Sequence, residues 1–565
     1  MLKNHKSIEI FDYWWAYLIA ICIAGLVIRL YFLPFDIPPV VDAGDYFGYA
    51  LEIKNSGSLP INWPISNNGW PSILGIIFSI IPLEGFLDYV NLFRIVSIIF
   101  SITTIVVIYF VCSKFFGKYL GLIGAALFAF EPRIIMNSTT GLIEPLYICL
   151  IALVILLFFH KNIKSAYIAF ALVAILSHVR YESLILIIPI TIIYFLNFQK
   201  NSKNIQKYFL CLVIFLSVLI PFMVINYYTT GEDGITNQYF SAINRSSVQF
   251  IEGQDVYKEL AEMESQESSY YLINGAWNFI KFIGILIIPV FIFFIPFGIY
   301  SILKNSDFRK KLIIIISVFL TLPAFYAYVN GFNDIRYLFT LYPILCFISL
   351  FSFEKILERM KKPKVLLIST IVVLIVVTIF SNFEYKEMYK YDLESFTVSQ
   401  YVVENATGYN QFTPEGKFVK AAEMENKWPE TSIANLSGHI VRDTLLIKYD
   451  DSETLEKFIK NSRDIRNNPK YNTDPVHHFR LTNSTGNYDL DPLYYMSNGL
   501  KKDFPIGISH LVIDDNQNRP EFIRDVFKNE DNYPYLKKIF DSADFNFSYS
   551  VKIFEIDFEK FDMEK

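Results

Sequence analysis

The chain has 565 residues, 53% of them hydrophobic and 17% aromatic, with a formal net charge of -5 and a mean hydropathy of +0.34. That apolar excess excludes an ordinary soluble protein of this size and predicts a polytopic membrane protein, while the acidic balance argues against a nucleic-acid partner. The five cysteines, Cys22, Cys112, Cys149, Cys211 and Cys346, lie in or beside apolar runs without metal-ligand spacing, which argues against a disulfide framework and a structural zinc site.

The first apolar segment, 13–33, follows Lys3, His5 and Lys6. It is longer than a signal-peptide core and has no small-residue cleavage site, so it reads as a retained first span. A predicted outer loop over 34–88 comes next, with Asp42 and Asp45 in the run Val41 to Phe47 and a short juxtamembrane helix over 70–82. A span needs about twenty apolar residues. Further spans are predicted at 89–112, 119–136, 141–159, 165–179, 183–198, 208–229, 277–302, 311–329, 335–353 and 364–381, about eleven in all. The remainder, 382–565, reads as a soluble α/β domain. It has a helix from Ser452 to Asn461, a buried strand over 510–514, a helix over 519–527 and an alternating strand over 549–556.

Charge sets the orientation. Alternate connections carry Lys114/Lys118, Lys161/Lys164, Lys200/Lys203/Lys207, Lys304/Arg309/Lys310/Lys311 and Lys355/Arg359/Lys361/Lys362/Lys364, matching Lys3/Lys6 at the start. Basic loops face the cytoplasm. The N-terminus is therefore expected inside, and 34–88, the acidic loop 230–276 and 382–565 outside, with the plasma membrane as the expected location. Asn-x-Ser/Thr triplets at Asn244, Asn405, Asn435, Asn483 and Asn546 all fall on the outer side.

The same topology brings the charges at span ends to one level. Asp42, Asp45 and Tyr46 lie on the outer loop, Glu131 and Arg133 end the third span, and Glu144 opens the fourth. His178, Arg180 and Glu182 join the fifth to the sixth, and Asp334 and Arg336 open the tenth. Ionisable groups at membrane depth serve a polar cavity or each other. Both signs together suit one chemistry: arginines clamp a phosphate and a carboxylate takes a proton from an attacking hydroxyl. A site on the outer face cannot draw on cytoplasmic nucleotide sugars, so a lipid-phosphate sugar is the expected donor. The rival class is a transporter or flippase for a polar lipid, but internal repeats and midplane charges are missing from the pattern.

These motifs resemble GT-C class membrane glycosyltransferases, in particular protein O-mannosyltransferases and lipid A aminoarabinose transferases. The matching stretches are Asp42-Ala43-Gly44-Asp45-Tyr46 with Ala50, Asn68-Gly69-Trp70-Pro71, and Glu131-Pro132-Arg133 with Ser138 and Glu144. Further along come His178-Val179-Arg180-Tyr181-Glu182 and Arg336-Tyr337-Leu338 with Pro343. The resemblance covers roughly 10–380. It implies a polyprenyl- or dolichyl-phosphate sugar donor, inversion at the anomeric carbon, and a protein, glycan or lipid acceptor. It also implies a catalytic acid residue in the first loop: Asp42 first, with Asp45 as companion or alternative. Arg180, Arg336 and Arg133 become expected phosphate ligands, and Glu131, Glu144, His178, Glu182 and Tyr46 orienting residues. Family members often carry Asp-Glu where this chain has Asp42-Ala43. Metal use varies in the class, so a divalent metal stays open and no cofactor is implied outright. The Trp-Trp-Asp type signature of oligosaccharyltransferases is absent, and Trp14-Trp15 reads as an interface belt.

Overall fold

The fold is that of a computed structural model, which describes residues 13–60, 67–198, 201–231, 233–236, 268–304, 308–360, 362–405, 418–426, 428–429, 443–448, 454–456, 459–460, 477–482, 494–497, 508–515, 521–548 and 550–563. Most of loop 230–276, and the triplets at Asn244, Asn435 and Asn483, lie outside the described residues. The chain divides into two compact units. The first comprises 1–33, 59–77 and 91–383, and the second 34–58, 78–90 and 384–565.

In the first unit, α1 (Trp14–Phe32) buries Leu18, Ile21, Gly25, Arg29 and Phe32 along one stripe. Its opposite face leaves Ile19, Ile23, Val27 and Leu30 exposed at helical spacing. The same holds for Phe209, Val213, Leu216, Ile220 and Val224 on α10 (Ser202–Thr230), and for Val365, Ile368, Val372, Val376 and Ile379 on the helix Pro363–Ser381. Apolar stripes of this length are left open where lipid, not water, is the solvent. Besides these three, α4 (Phe86–Phe116) and the segment Ile335–Met360 are long and apolar enough to cross a membrane, giving five such elements among the described residues. A bent pair, α5 (Lys118–Ala129) and α6 (Pro132–Thr139), turned by 55°, makes a sixth if counted as one span. The other five predicted spans coincide with shorter apolar helices. These include α7 (Glu144–Phe158), α8 (Ile163–Val179), and a 3-10 turn over Tyr181–Leu186 that runs into α9 (Ile187–Asn197). The predicted juxtamembrane helix is α3 (Gly69–Ile80).

Local chemistry makes the breaks. Pro132 has no N–H to continue α5, and Glu131 caps the new helix by accepting from Ile134 N at 2.9 Å. The chain leaves α8 at Arg180, whose backbone is extended (φ -146°, ψ 116°). Gly141, at φ +82°, has room for no side chain, because a Cβ there would overlap the Phe93 ring.

In the second unit, the run that was expected as loop is helix: α2 spans Val41–Ser56 and stops at Gly57 in the left-handed conformation. Pro38-Pro39 holds the preceding chain extended. Apolar Ala43, Phe47, Ala50 and Leu51 form the buried side. The polar, glycine-containing sequence hides this periodicity, which tertiary burial overrides. A four-stranded antiparallel sheet has the order β3-β4-β6-β5, with β3 Tyr494–Ser497, β4 Ile508–Asp514, β5 Leu536–Asp541 and β6 Val551–Ile556. A separate pair, β1 (Asp443–Lys448) and β2 (His477–Thr482), runs parallel. Alternation along β4 and β6 feeds two cores. Leu511, Ile513, Phe554 and Ile556 pack with Phe522, Ile523 and Val526 of the helix Glu521–Lys528. Val512, Val551 and Ile553 pack with Val398 of the helix Phe383–Asn405. In β5, Leu536 joins the first core and Phe540 the second although they are four residues apart. The register slips between Lys538 and Phe540, and that bulge switches the face.

Lys538 bridges Glu530 at 2.6 Å and Asp541 at 3.1 Å, and Lys552 reaches Glu530 at 3.0 Å. Burial pushes the Glu530 carboxyl up, but the hydrogen bonds from Lys538 and Lys552 outweigh it and hold the group below its usual range. Stability from a depressed carboxyl is present above its unfolded value of about 4 and is lost as pH falls through the lower folded value. The thermal stability of the detergent-solubilised chain should therefore fall between about pH 5 and pH 3, and Glu530→Gln should flatten that slope. An unchanged acid slope in the variant would sink this assignment.

Candidate functional site

Arg180 is the centre of the first unit's polar cluster. Its Nη1 lies 3.6 Å from Glu144 Oε1 on α7, and its Nη2 3.7 Å from Glu182 Oε1 in the 3-10 turn. Its guanidinium carbon sits 5.6 Å from the centre of the Tyr147 ring and 5.2 Å from that of Tyr337, both within range of the ring quadrupole. At these separations the carboxylates pair with Arg180 by charge rather than through short bidentate bonds. Tyr147, Arg180, Glu182, Tyr337 and Thr340 line a cavity whose apolar wall includes Leu320 and Pro323. Two buried oxygens there, Glu182 Oε2 and Thr340 Oγ1, have no hydrogen-bond partner among the described residues. A buried acceptor without a partner costs about 1–3 kcal/mol, and a ligand donor would recover it.

The other expected residues of this unit fall into four places. Glu144 joins α7 to α6, since Asn137 Nδ2 donates to its Oε2 at 3.4 Å. Glu131 is fully buried and pairs with Arg133 at 3.5 Å, while Arg133 also donates to the Ile288 carbonyl. Arg336 is held by Asp334, with Nε to Oδ2 at 2.6 Å. The same aspartate caps the 3-10 turn Ile335–Leu341 by accepting from Arg336 N at 2.8 Å. His178 turns to α10, where Nε2–H donates to the Leu219 carbonyl at 3.1 Å and the ring meets Phe222 at 4.9 Å. Thus Glu144, Arg180 and Glu182 form one cluster, and Glu131–Arg133 and Asp334–Arg336 form separate pairs.

Asp42, Asp45 and Tyr46 belong to the second unit. Asp42 stands exposed in the first turn of α2, and Asp45 and Tyr46 are half-buried one turn on. A spacing of three puts the two aspartates on one helix face. The helix is seated by Ile37 and Val40 against Phe396, Phe418 and Ala422. Phe47 packs edge-on against Phe78 at 5.9 Å and Phe86 at 5.5 Å. Among the described residues, no three His, Cys, Asp or Glu side chains come together so that they could hold a metal ion.

Arg29 was passed over in the sequence reading. It is fully buried in the first unit. Its Nε donates to Ser101 Oγ at 3.2 Å and Ser138 Oγ at 3.1 Å, and its Nη2 to Ser101 Oγ at 3.0 Å. Its Nη1 donates to the carbonyls of Gly25 and Ala129, each at 3.0 Å. Gly25 leaves the space, since a Cβ there would lie 3.3 Å from Nη1. The signal in the sequence was a single charge inside the apolar run 13–33, which in a membrane segment always has a reason.

Residues 86–225 match the family model for dolichyl-phosphate-mannose-protein mannosyltransferase. The resemblance to GT-C glycosyltransferases drawn from the motifs is borne out by that match over 86–225. No curated protein matches the sequence. Solved structures similar to it include a chain of the S. cerevisiae protein O-mannosyltransferase complex bound to the sugar donor, at 16% identity and TM-score 0.33, covering 40% of this chain and 34% of that one. ArnT from Cupriavidus metallidurans bound to undecaprenyl phosphate matches at 11% identity and TM-score 0.44, over 75% and 74% of the two chains. The Archaeoglobus fulgidus oligosaccharyltransferase with a tethered acceptor peptide matches at 11% identity and TM-score 0.44, over 75% of this chain and 60% of that one. This chain thus spans about a third of the yeast chain's length. These likenesses are distant and carry no residue assignment.

Arg29→Leu should leave Ser101, Ser138 and the Ala129 carbonyl facing an apolar side chain, at a cost on the order of 3 kcal/mol. Arg29→Lys should restore little of it, because one ammonium cannot reproduce the guanidinium fork. Melting temperatures of the purified variants in detergent check both; a lysine variant as stable as the parent would show that charge alone suffices.

Proposed function

We propose that this GT-C glycosyltransferase takes its sugar from a polyprenyl- or dolichyl-phosphate donor. It transfers that sugar, with inversion, to a hydroxyl of a protein, glycan or lipid acceptor at the outer face of the membrane. The observation that carries the reading is the Arg180 cavity. A guanidinium stands there on two aromatic rings between two loosely held carboxylates, next to buried acceptors without partners. Because Glu144 and Glu182 lie beyond short hydrogen-bond distance, an incoming phosphate oxygen can replace one of them on Arg180 at small cost. Glu182 Oε2 is then left to accept from a sugar hydroxyl.

The chemical step is a single displacement. The acceptor oxygen forms a bond to the anomeric carbon as the bond from that carbon to the phosphate oxygen breaks. The bonding electrons leave on the lipid phosphate, whose negative charge Arg180 stabilises. The acceptor proton goes to Asp42, with Asp45 as the companion carboxylate on the same helix face. Arg336 and Arg133, each beside a carboxylate of its own, Asp334 and Glu131, are the further phosphate ligands of this reading.

The lysine-rich alternate connections support a cytoplasmic N-terminus, and with it an extracytoplasmic position for α2 and for 382–565. An outer site also fits the donor, whose lipid tail stays in the bilayer while its phosphate sits at the interface.

Dolichyl phosphate mannose is the first donor to offer, given the family match over 86–225. With radiolabelled donor, Asp42→Asn should lose transfer by about a hundredfold or more while the protein still accumulates in the membrane. Arg180→Gln should raise the donor KM at least tenfold, since a bound phosphate loses a charged partner. Near-normal turnover by the Asp42 variant moves the base to Asp45. Movement of lipid across vesicles without bond cleavage would sink the enzyme reading in favour of transport.

A further inference from the structure

Arg180 is fixed in its cavity by something other than its own ion pairs, and the backbone around it shows what that is. The residue stands alone in extended conformation between the last turn of α8 and the 3-10 turn that follows. Its own N–H closes α8 by donating to the Leu176 carbonyl at 2.8 Å. A helix junction of this kind leaves peptide groups without intrahelical partners and leaves the connecting residue free to swing.

A short segment far away in sequence meets this junction on both sides of Arg180. On the downstream side, Asn67 Oδ1 accepts from the Tyr181 N–H at 3.2 Å. On the upstream side, Gly69 lies directly against the His178 peptide. A Cβ at position 69 would stand 2.7 Å from the His178 carbonyl oxygen, 2.8 Å from its carbon and 2.9 Å from Val179 N. All three atoms are backbone, so no side-chain rotation relieves the clash. The segment is itself anchored. Asn68 Nδ2 donates to Asn226 Oδ1 at 2.9 Å, Asn226 Nδ2 returns a bond to Asn68 Oδ1 at 3.4 Å, and Trp70 Nε1 donates to the Gly141 carbonyl at 3.0 Å. Leu219, Phe222 and Asn226, spaced by three and four on α10, present one face that holds both His178 and Asn68.

We propose that Asn67 and Gly69 are positioning residues for Arg180, setting where its guanidinium meets the donor phosphate. The inference rests on the reading of Arg180 as a phosphate ligand. Neither residue is among those that line the cavity. Each acts through the backbone flanking Arg180, Asn67 by holding the following N–H and Gly69 by allowing the preceding carbonyl to come close. Displacements of even a fraction of an ångström at a group that orients substrate are felt in the kinetics.

The test is a double-mutant cycle on the full-length protein in detergent, with dolichyl phosphate mannose as donor. Gly69→Ala and Asn67→Leu should each raise the donor KM about tenfold with a smaller change in kcat. Asn67→Asp, which keeps an acceptor oxygen, should restore most of the affinity. In an Arg180→Gln background, Gly69→Ala and Asn67→Leu should add less than about twofold, because the group they position is gone. Losses that multiply in that background, or a donor KM unchanged in both single variants, would overturn the proposal. If Gly69→Ala does not fold, Asn67→Leu and its aspartate partner decide alone, as they change one side chain and leave the close backbone approach intact. If Arg180→Gln impairs the enzyme while the segment's variants are silent or additive, only the positioning claim fails. If Arg180→Gln itself changes neither KM nor kcat, the phosphate assignment fails and takes the positioning claim with it.

Discussion

A helix that breaks inside an apolar layer exposes peptide groups that no water can reach, and those groups must be satisfied by the protein. The first unit is organised around that demand. At the end of α5 the Ala129 carbonyl is met by the Arg29 guanidinium, which in the same fan of bonds ties α1 to Ser101 on α4 and Ser138 on α6. Glu131 then caps the next helix, and its position near Arg133 follows from that cap. At the end of α8 the same need is met by the Asn67 side chain. Polar residues in this unit therefore do two jobs. Some satisfy broken backbone, and others, such as Arg180, line a cavity.

This division explains why single residues looked ambiguous in the sequence. Arg336, Arg133 and Arg180 carry the same charge and sit at similar span ends, yet Arg336 is engaged by the aspartate two residues before it and Arg133 by the glutamate two residues before it. Arg180 has two carboxylates, at 3.6 and 3.7 Å, that come from two different elements. His178, next in the same motif, is bound to a carbonyl of α10 and serves packing at the helix end. Arg180 differs in what stands opposite it: carboxylates on two sides and the rings of Tyr147 and Tyr337.

Much of the architecture was legible because apolar runs are long and charge alternates between connections. Among the described residues, five of the predicted spans, or six with the bent pair, coincide with helices long and apolar enough to cross a membrane, and the segments read as strands near 510–514 and 549–556 are β4 and β6. The helical state of α2 was not legible: glycines and acids dilute its pattern, and its burial depends on Phe78, Phe86 and Phe396, which lie far along the chain. Arg29 was visible as a lone charge, but its meaning lies in Ser101, Ser138 and Ala129, which only folding brings near. The Asn67 to Trp70 segment was noticed as a motif, whereas its grip on the Arg180 junction spans more than a hundred residues of sequence and has no local signature.

The slipped register of β5 has an outcome beyond the arrangement of two cores. Among the described residues β5 is an edge of the four-stranded sheet, and an edge offers its backbone groups as a template for a strand from another molecule. The bulge leaves Ile539 out of register with β6, and Tyr401 donates its hydroxyl proton to the Ile539 carbonyl at 2.5 Å, so one rung of that template is already taken. An incoming strand would meet an uneven hydrogen-bond spacing. The irregularity thus acts as protection against self-association, keeping a hydrophobic strand sequence from recruiting its own kind.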